Sequence, residues 1–90
     1  MFEWDKINIA HIARHGVTPE EAEDVLLHDP SEAVLQIHNG EERYFQYGIT
    51  REYRCLVVVT IWRSDSMTRV VTAYTAPRAL RRMYLEGRGL

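Results

Sequence analysis

Ninety residues carry 11 Lys and Arg against 13 Asp and Glu, with a formal net charge of −2 and 46% hydrophobic residues. That length supports one small core spanning residues 1–90, the apolar content and two Trp exclude a wholly disordered chain, and the lone Cys55 excludes an internal disulfide. The small net charge hides a split: Met1 to Glu42 holds ten Asp/Glu against Lys6 and Arg14, whereas Arg43 to Leu90 holds nine Arg against Glu52, Asp65 and Glu86. Arg grips phosphate with a planar fork, so a polyanion such as RNA suits the second half; a solvated or self-neutralising Arg face is the alternative. No apolar stretch approaches the ~20 residues that span a bilayer, and the Met1 end lacks the basic-then-apolar pattern of a leader, so a cytoplasmic protein without membrane contact is expected.

Along the chain, Asp5 can cap a first helix over Lys6 to His15, with Ile9, Ile12 and Ala13 at helical spacing and Gly16 as its left-handed stop. Thr18-Pro19-Glu20-Glu21 predicts a capped start with Pro at the first helical position, and Asp29-Pro30 ends that second helix near Leu27. The pattern then changes to strands. Ala33 to Ile37 and Arg43 to Ile49 flank His38-Asn39-Gly40, a hairpin turn whose Asn-Gly tolerates positive φ. Cys55 to Ile61 is apolar on both parities, the mark of a central strand buried on two faces. Ser64 to Thr68 turns the chain into Arg69 to Tyr74, and Pro77 opens a last helix through Tyr84 that presents Arg78, Arg81 and Arg82. The expected fold is α+β: two N-terminal helices on one face of a four-stranded, mainly antiparallel sheet, then a C-terminal helix.

The segments FEWD, HGVTPEEAEDV, EERYFQYG, LVVVTIWR and RVVTAYTAPRALRRMY, in this order over essentially the whole chain, resemble the BrnT family. These are ribonuclease toxins of bacterial type II toxin–antitoxin systems with a RelE-like fold. The resemblance implies a toxin that cuts RNA without a metal or other cofactor. A BrnA-like antitoxin would neutralise it, in a complex that can be of higher order. It also aligns His15 with the His of the family's HGV motif. On the last strand the family usually has an Arg where this chain has Tyr74.

Metal-free RNA cleavage uses the 2′-hydroxyl as nucleophile and needs a proton acceptor, a proton donor and fixed cations around the phosphorus. Arg43, Arg63 and Arg69 are the first choices for phosphate, expected to converge on the face opposite the helices; exposed charges at strand ends are the alternative. Arg78, Arg81 and Arg82 extend a basic RNA-binding surface. His11 and His15 lie four apart and share a helix face; a neutral His is the usual base near pH 7, but His15 also suits a helix C-terminus. Tyr74 is either a sheet aromatic or a cleft residue, with Tyr84 a second candidate. Trp4 and Trp62 read as packing residues, with base stacking the alternative for Trp62. The two His lack the Glu of HExxH and a third ligand, so no metal site is expected, and Cys55 reads as a buried inert thiol.

Two function classes follow. One is a metal-independent ribonuclease toxin with His15, Arg63, Arg69 and Tyr74 as its catalytic set. The other is a catalytically weak or inactive relative that keeps the fold to bind antitoxin or nucleic acid. The charge split further predicts an acidic-to-amphipathic antitoxin segment over the Arg-rich surface, because three late acids cannot neutralise nine Arg.

Overall fold

The computed structural model describes residues 1–28 and 30–87. Its elements are β1 (Phe2–Glu3), α1 (Lys6–Ala13), α2 (Pro19–Leu27), β2 (Val34–His38), β3 (Glu41–Ile49), β4 (Cys55–Ser64), β5 (Met67–Thr75) and α3 (Arg78–Gly87). The strands form one sheet in the order β1-β5-β4-β3-β2, with β1 parallel to β5 and every other pair antiparallel. The α+β class is as expected, but the sheet has five strands rather than four. β1 pairs only Phe2 with Thr68 and Glu3 with Arg69, and two residues are too few to show any periodicity.

Asp5 caps α1 as its sequence position suggests, accepting from the Ile7 and Asn8 amides while the Asn8 side chain returns to the Asp5 amide. The buried residues of the helix differ from the expected ones. Ile12 is buried, but Ile9 and Ala13 are exposed, and Asn8 takes the second interior place. Its Nδ2 donates to the Glu3 carbonyl at 2.8 Å and to the Val70 carbonyl at 3.0 Å. β1 stops after pairing with Arg69, so Asn8 satisfies the next edge carbonyl of β5 and pins α1 beside that strand. The α-helix ends at Ala13, two residues before the expected His15, and Gly16 turns the chain with φ of 70°.

Thr18 and Glu21 close the predicted capping box on α2, and Pro19 occupies the first turn. The helix ends at Leu27; Asp29, half of its expected stop signal, lies outside the described residues. Glu21 also receives Arg54 Nη1 at 2.6 Å, and Arg54 reaches the Gly16 carbonyl at 3.0 Å, so one side chain joins α2 to the end of α1. α2 lies close on β3 where Gly48 leaves room: a Cβ there would stand 3.2 Å from Val25 Cγ1.

β4 is the middle strand, and every residue from Cys55 to Ile61 is buried, as its two-sided apolarity predicts. Leu56 and Val58 join Ile12, Val17, Ala22, Val25, Val70 and Ala73 in one core cluster, with Trp4 and Leu26 at its margin. Cys55, Val57 and Val59 point to the other side with Ala76, against Phe45, Tyr47, Tyr74 and Leu80. The sheet thus has an α2 face and an α3 face. Burial pushes the Cys55 thiol up, with the nearby Arg81 charge opposing, which fits an inert role. Asn39 and Gly40, with φ of 50° and 79°, form the expected primed turn between β2 and β3.

Candidate active-site cleft

Alternation along β3 puts Arg43 on the same face as Phe45 and Tyr47, the α3 face. On β5, Val59 pairs with Thr72 but Thr60 pairs with Val70, so Val71 is an extra residue in a bulge. The bulge lets Val71 and Thr72 line the same cavity. That cavity, of about 570 Å³, is walled by Ile7, Asn8, Ala10, His11 and Arg14 of α1 and its end, and floored by Arg43, Arg69, Val71 and Thr72. α3 covers the β4 start and Tyr47, with Tyr84 edge-on to Tyr47 at 5.7 Å between ring centroids, and so leaves the Arg43 end of this face open. Tyr84, the buried residue of α3, thus packs the helix onto the sheet.

Aromatic rings continue the cleft along α1. His11 and His15 meet edge to face with centroids 5.6 Å apart, and His15 meets Tyr74 of β5 at 6.2 Å. Two residues 59 positions apart, each singled out from sequence, are thereby neighbours. His15 follows the last residue of α1 by two positions, so its place near a helix C-terminus and its place beside Tyr74 are the same place.

The arginines divide into groups that sequence did not separate. Arg69 is only 14% exposed in its side chain and binds Asp5 and Glu3, with Nη1 at 2.8 Å from Asp5 Oδ2 and 3.1 Å from Glu3 Oε1. Arg63 reaches the same Glu3 carboxylate at 3.4 Å from its place near the β4–β5 turn, and does not line the cleft. Arg43 pairs with Glu41 at 3.0 Å, Arg51 with Asp24 at 3.0 Å, and Arg54 with Glu21. Five Arg of the basic half are thus paired with acids of the first half, so late acids alone do not set the balance. Arg14 in the cleft and Arg78, Arg81 and Arg82 on α3 make no ion pair among the described residues. The α3 trio lines a shallow groove of its own with Leu85 and Glu86, and Arg88 lies outside the described residues.

Arg14 was the functional candidate that residue-by-residue reading passed over. The signal was present: it lies three residues after His11, hence on the same face of the helix. Of Arg43, Arg63 and Arg69, expected to converge on the face opposite the helices, only Arg43 and Arg69 line one cleft, and α1 forms its wall rather than lying on the opposite face. Trp62 stacks on Tyr44 on the α2 side, and Trp4 packs at the core margin and donates to Glu23 at 2.7 Å.

A second cavity of about 530 Å³ lies between α2 and the β3–β4 connection, lined by Glu20, Glu21, Glu23, Asp24 and Glu52. That acidic wall repels phosphate, so the cleft beside α1 is the better candidate for an RNA site. Among the described residues no group of three or more His, Cys, Asp or Glu is placed to hold a metal ion, and no helix is long and apolar enough to cross a membrane. The family model for BrnT, the ribonuclease toxin of type II toxin–antitoxin systems, matches residues 4–79. No curated protein matches the chain.

Proposed function

The chain belongs to the BrnT family of ribonuclease toxins of type II toxin–antitoxin systems, and from that premise we propose that it cleaves RNA without a metal in the cleft between α1 and β5. The observation that carries the reading is the row of rings His11, His15 and Tyr74, which runs from a cavity lined by His11, Arg14, Arg43 and Arg69 and so sets proton-transfer groups beside cations. In this mechanism neutral His15 removes the proton of the 2′-hydroxyl, which attacks phosphorus and forms a 2′,3′-cyclic phosphate. The 5′-oxygen leaves with a proton donated by Tyr74 or by His11 in its protonated form. Arg14 and Arg43 carry the charge that grows on the phosphoryl oxygens. Arg69 adds to that field while its bonds to Asp5 and Glu3 hold it in place. Arg78, Arg81 and Arg82 extend the basic track for the flanking RNA, and Arg63, which shares the Glu3 carboxylate with Arg69, adds a further contact beside the cleft.

A specific observation favours the second reading, a weak or inactive toxin. Both Arg43 and Arg69 already carry a carboxylate partner, and the sequence resemblance implies a Tyr at position 74 in place of an Arg. Incubating the purified protein with total RNA in EDTA separates the two. Cleavage in EDTA supports the metal-independent mechanism, cleavage only after magnesium is restored overturns it, and intact RNA under both conditions supports the inactive relative. A family of this kind implies an antitoxin partner; a BrnA-like protein is the one we propose.

A further inference from the structure

The α2 face is not fully covered. Pairing places Leu35 beside Tyr44, Tyr44 beside Thr60, and Ile37 beside Glu42, and alternation turns all of these side chains to the same side. Tyr44 lies flat on Trp62, with centroids 4.0 Å apart and planes 8° apart. Leu35 is 49%, Ile37 63% and Trp62 59% exposed, because α2 packs over the Gly48 end of the strands and stops short of this one. Soluble proteins rarely leave so connected an apolar row bare unless it is a binding surface. The Thr60 hydroxyl, buried beneath the row, has no hydrogen-bond partner among the described residues.

We infer that this row, Ile37, Leu35, Tyr44 and Trp62, is the docking surface for an amphipathic helix of the antitoxin that carries Lys or Arg beside its apolar stripe. The charge of the rim selects that occupant. Glu42 accepts the Tyr44 hydroxyl at 3.3 Å, and Asp65 lines a recess with Trp62; neither carboxylate makes an ion pair among the described residues. A second copy of this chain would bring two such acidic rims together, whereas a basic helix satisfies them. Three strands at about 4.8 Å spacing span the width of one helix, about 10 Å. This surface differs from the acidic segment that the charge split alone suggests, because five of the Arg are already paired within the chain. It lies on the side of the sheet away from the catalytic cleft, so antitoxin and RNA would engage opposite faces.

The inference rests on the toxin–antitoxin reading, and one binding experiment separates the two. The probe is the purified antitoxin encoded with this chain, titrated against wild type and against Trp62→Glu, Leu35→Lys and Glu42→Lys combined with Asp65→Lys. The expected result is a loss of affinity of roughly 30-fold or more for Trp62→Glu, as for a central aromatic anchor. Leu35→Lys should weaken binding as well, and the double charge reversal should slow association. RNA cleavage and the circular-dichroism melting curve should stay unchanged in all of these exposed variants. Wild-type affinity in every variant overturns the docking surface and leaves the toxin–antitoxin reading standing; no binding by wild type overturns both. Two other outcomes also overturn it: a wild-type dimer that Trp62→Glu converts to monomer, which marks a second copy as the occupant, or loss of RNA cleavage with antitoxin binding intact, which marks a base-stacking site.

Discussion

Arg69 holds Asp5 with both ends of its guanidinium, Nη1 at 2.8 Å from Oδ2 and Nη2 at 3.3 Å from Oδ1. The same Asp5 Oδ1 accepts the Ile7 and Asn8 amides that open α1. One carboxylate therefore ties the wall of the cleft to its floor, and the position of His11, Arg14 and His15 over β5 depends on it.

Arg69, then the Asn8 amide, hold the Asp5 carboxyl at about 2, below its ordinary 3.8. A carboxylate whose pKa falls on folding contributes stability that is complete above the unfolded value and vanishes as pH drops through the folded one. Wild type should therefore lose stability between pH 3.8 and about 2, and Asp5→Asn should melt lower at neutral pH yet lose less across that interval. Thermal melts from pH 6 to 2 check this; parallel pH profiles for the two proteins would refute it.

His15→Gln should reduce RNA cleavage by about 100-fold, the lower end of the usual contribution of a positioned base. Tyr74→Phe should reduce it less, because it removes the hydroxyl and keeps the ring against His15. His15 is exposed, and Tyr74→Phe keeps the half-buried ring that packs against the core, so melting temperatures should hold. Single-turnover cleavage of a fixed RNA measures the effect, and undiminished rates in both variants would assign His15 to the helix terminus instead.

Salt dependence separates the arginines. Arg14→Ala should weaken RNA binding and reduce the magnitude of the slope of log K against log salt by about 1, the value for one lost phosphate contact. Arg63→Ala, bound to Glu3 and outside the cleft lining, should change the slope less. Fluorescence titrations at several salt concentrations decide between them; the opposite order would move the RNA path to the β4–β5 end of the sheet.

Gly48→Ala should destabilise the fold by about 1–3 kcal/mol, the usual range for overpacking. Its Cβ would meet Val25 Cγ1 at 3.2 Å with the Pro30 backbone 3.5 Å away, so relief requires α2 to shift. Urea denaturation measures the change. Pairing Gly48→Ala with Val25→Ala should give less loss than the sum of the two single variants, because the truncated side chain removes the clash.

What was legible in the sequence was local or periodic. The Thr18-Pro19-Glu21 box, the Asn39-Gly40 turn and the two-sided apolar run Cys55 to Ile61 each state their conformation within a few residues, and each appears as expected. Hairpin register likewise follows from the turn. The misses are long-range. β1 exists only because β5 offers an edge some 66 positions later, and Asn8 is interior only because Val70 presents a carbonyl there. The charge split was visible as a count. Its outcome, five arginines paired with acids of the first half while Arg14 and the α3 trio have no such partner, depends on which side chains the sheet order makes neighbours. His15 and Tyr74 could each be named in advance as candidates. Their meeting at 6.2 Å was decided by the packing of α1 along β5, because contact between distant segments is a property of the folded topology and has no local signature in either segment.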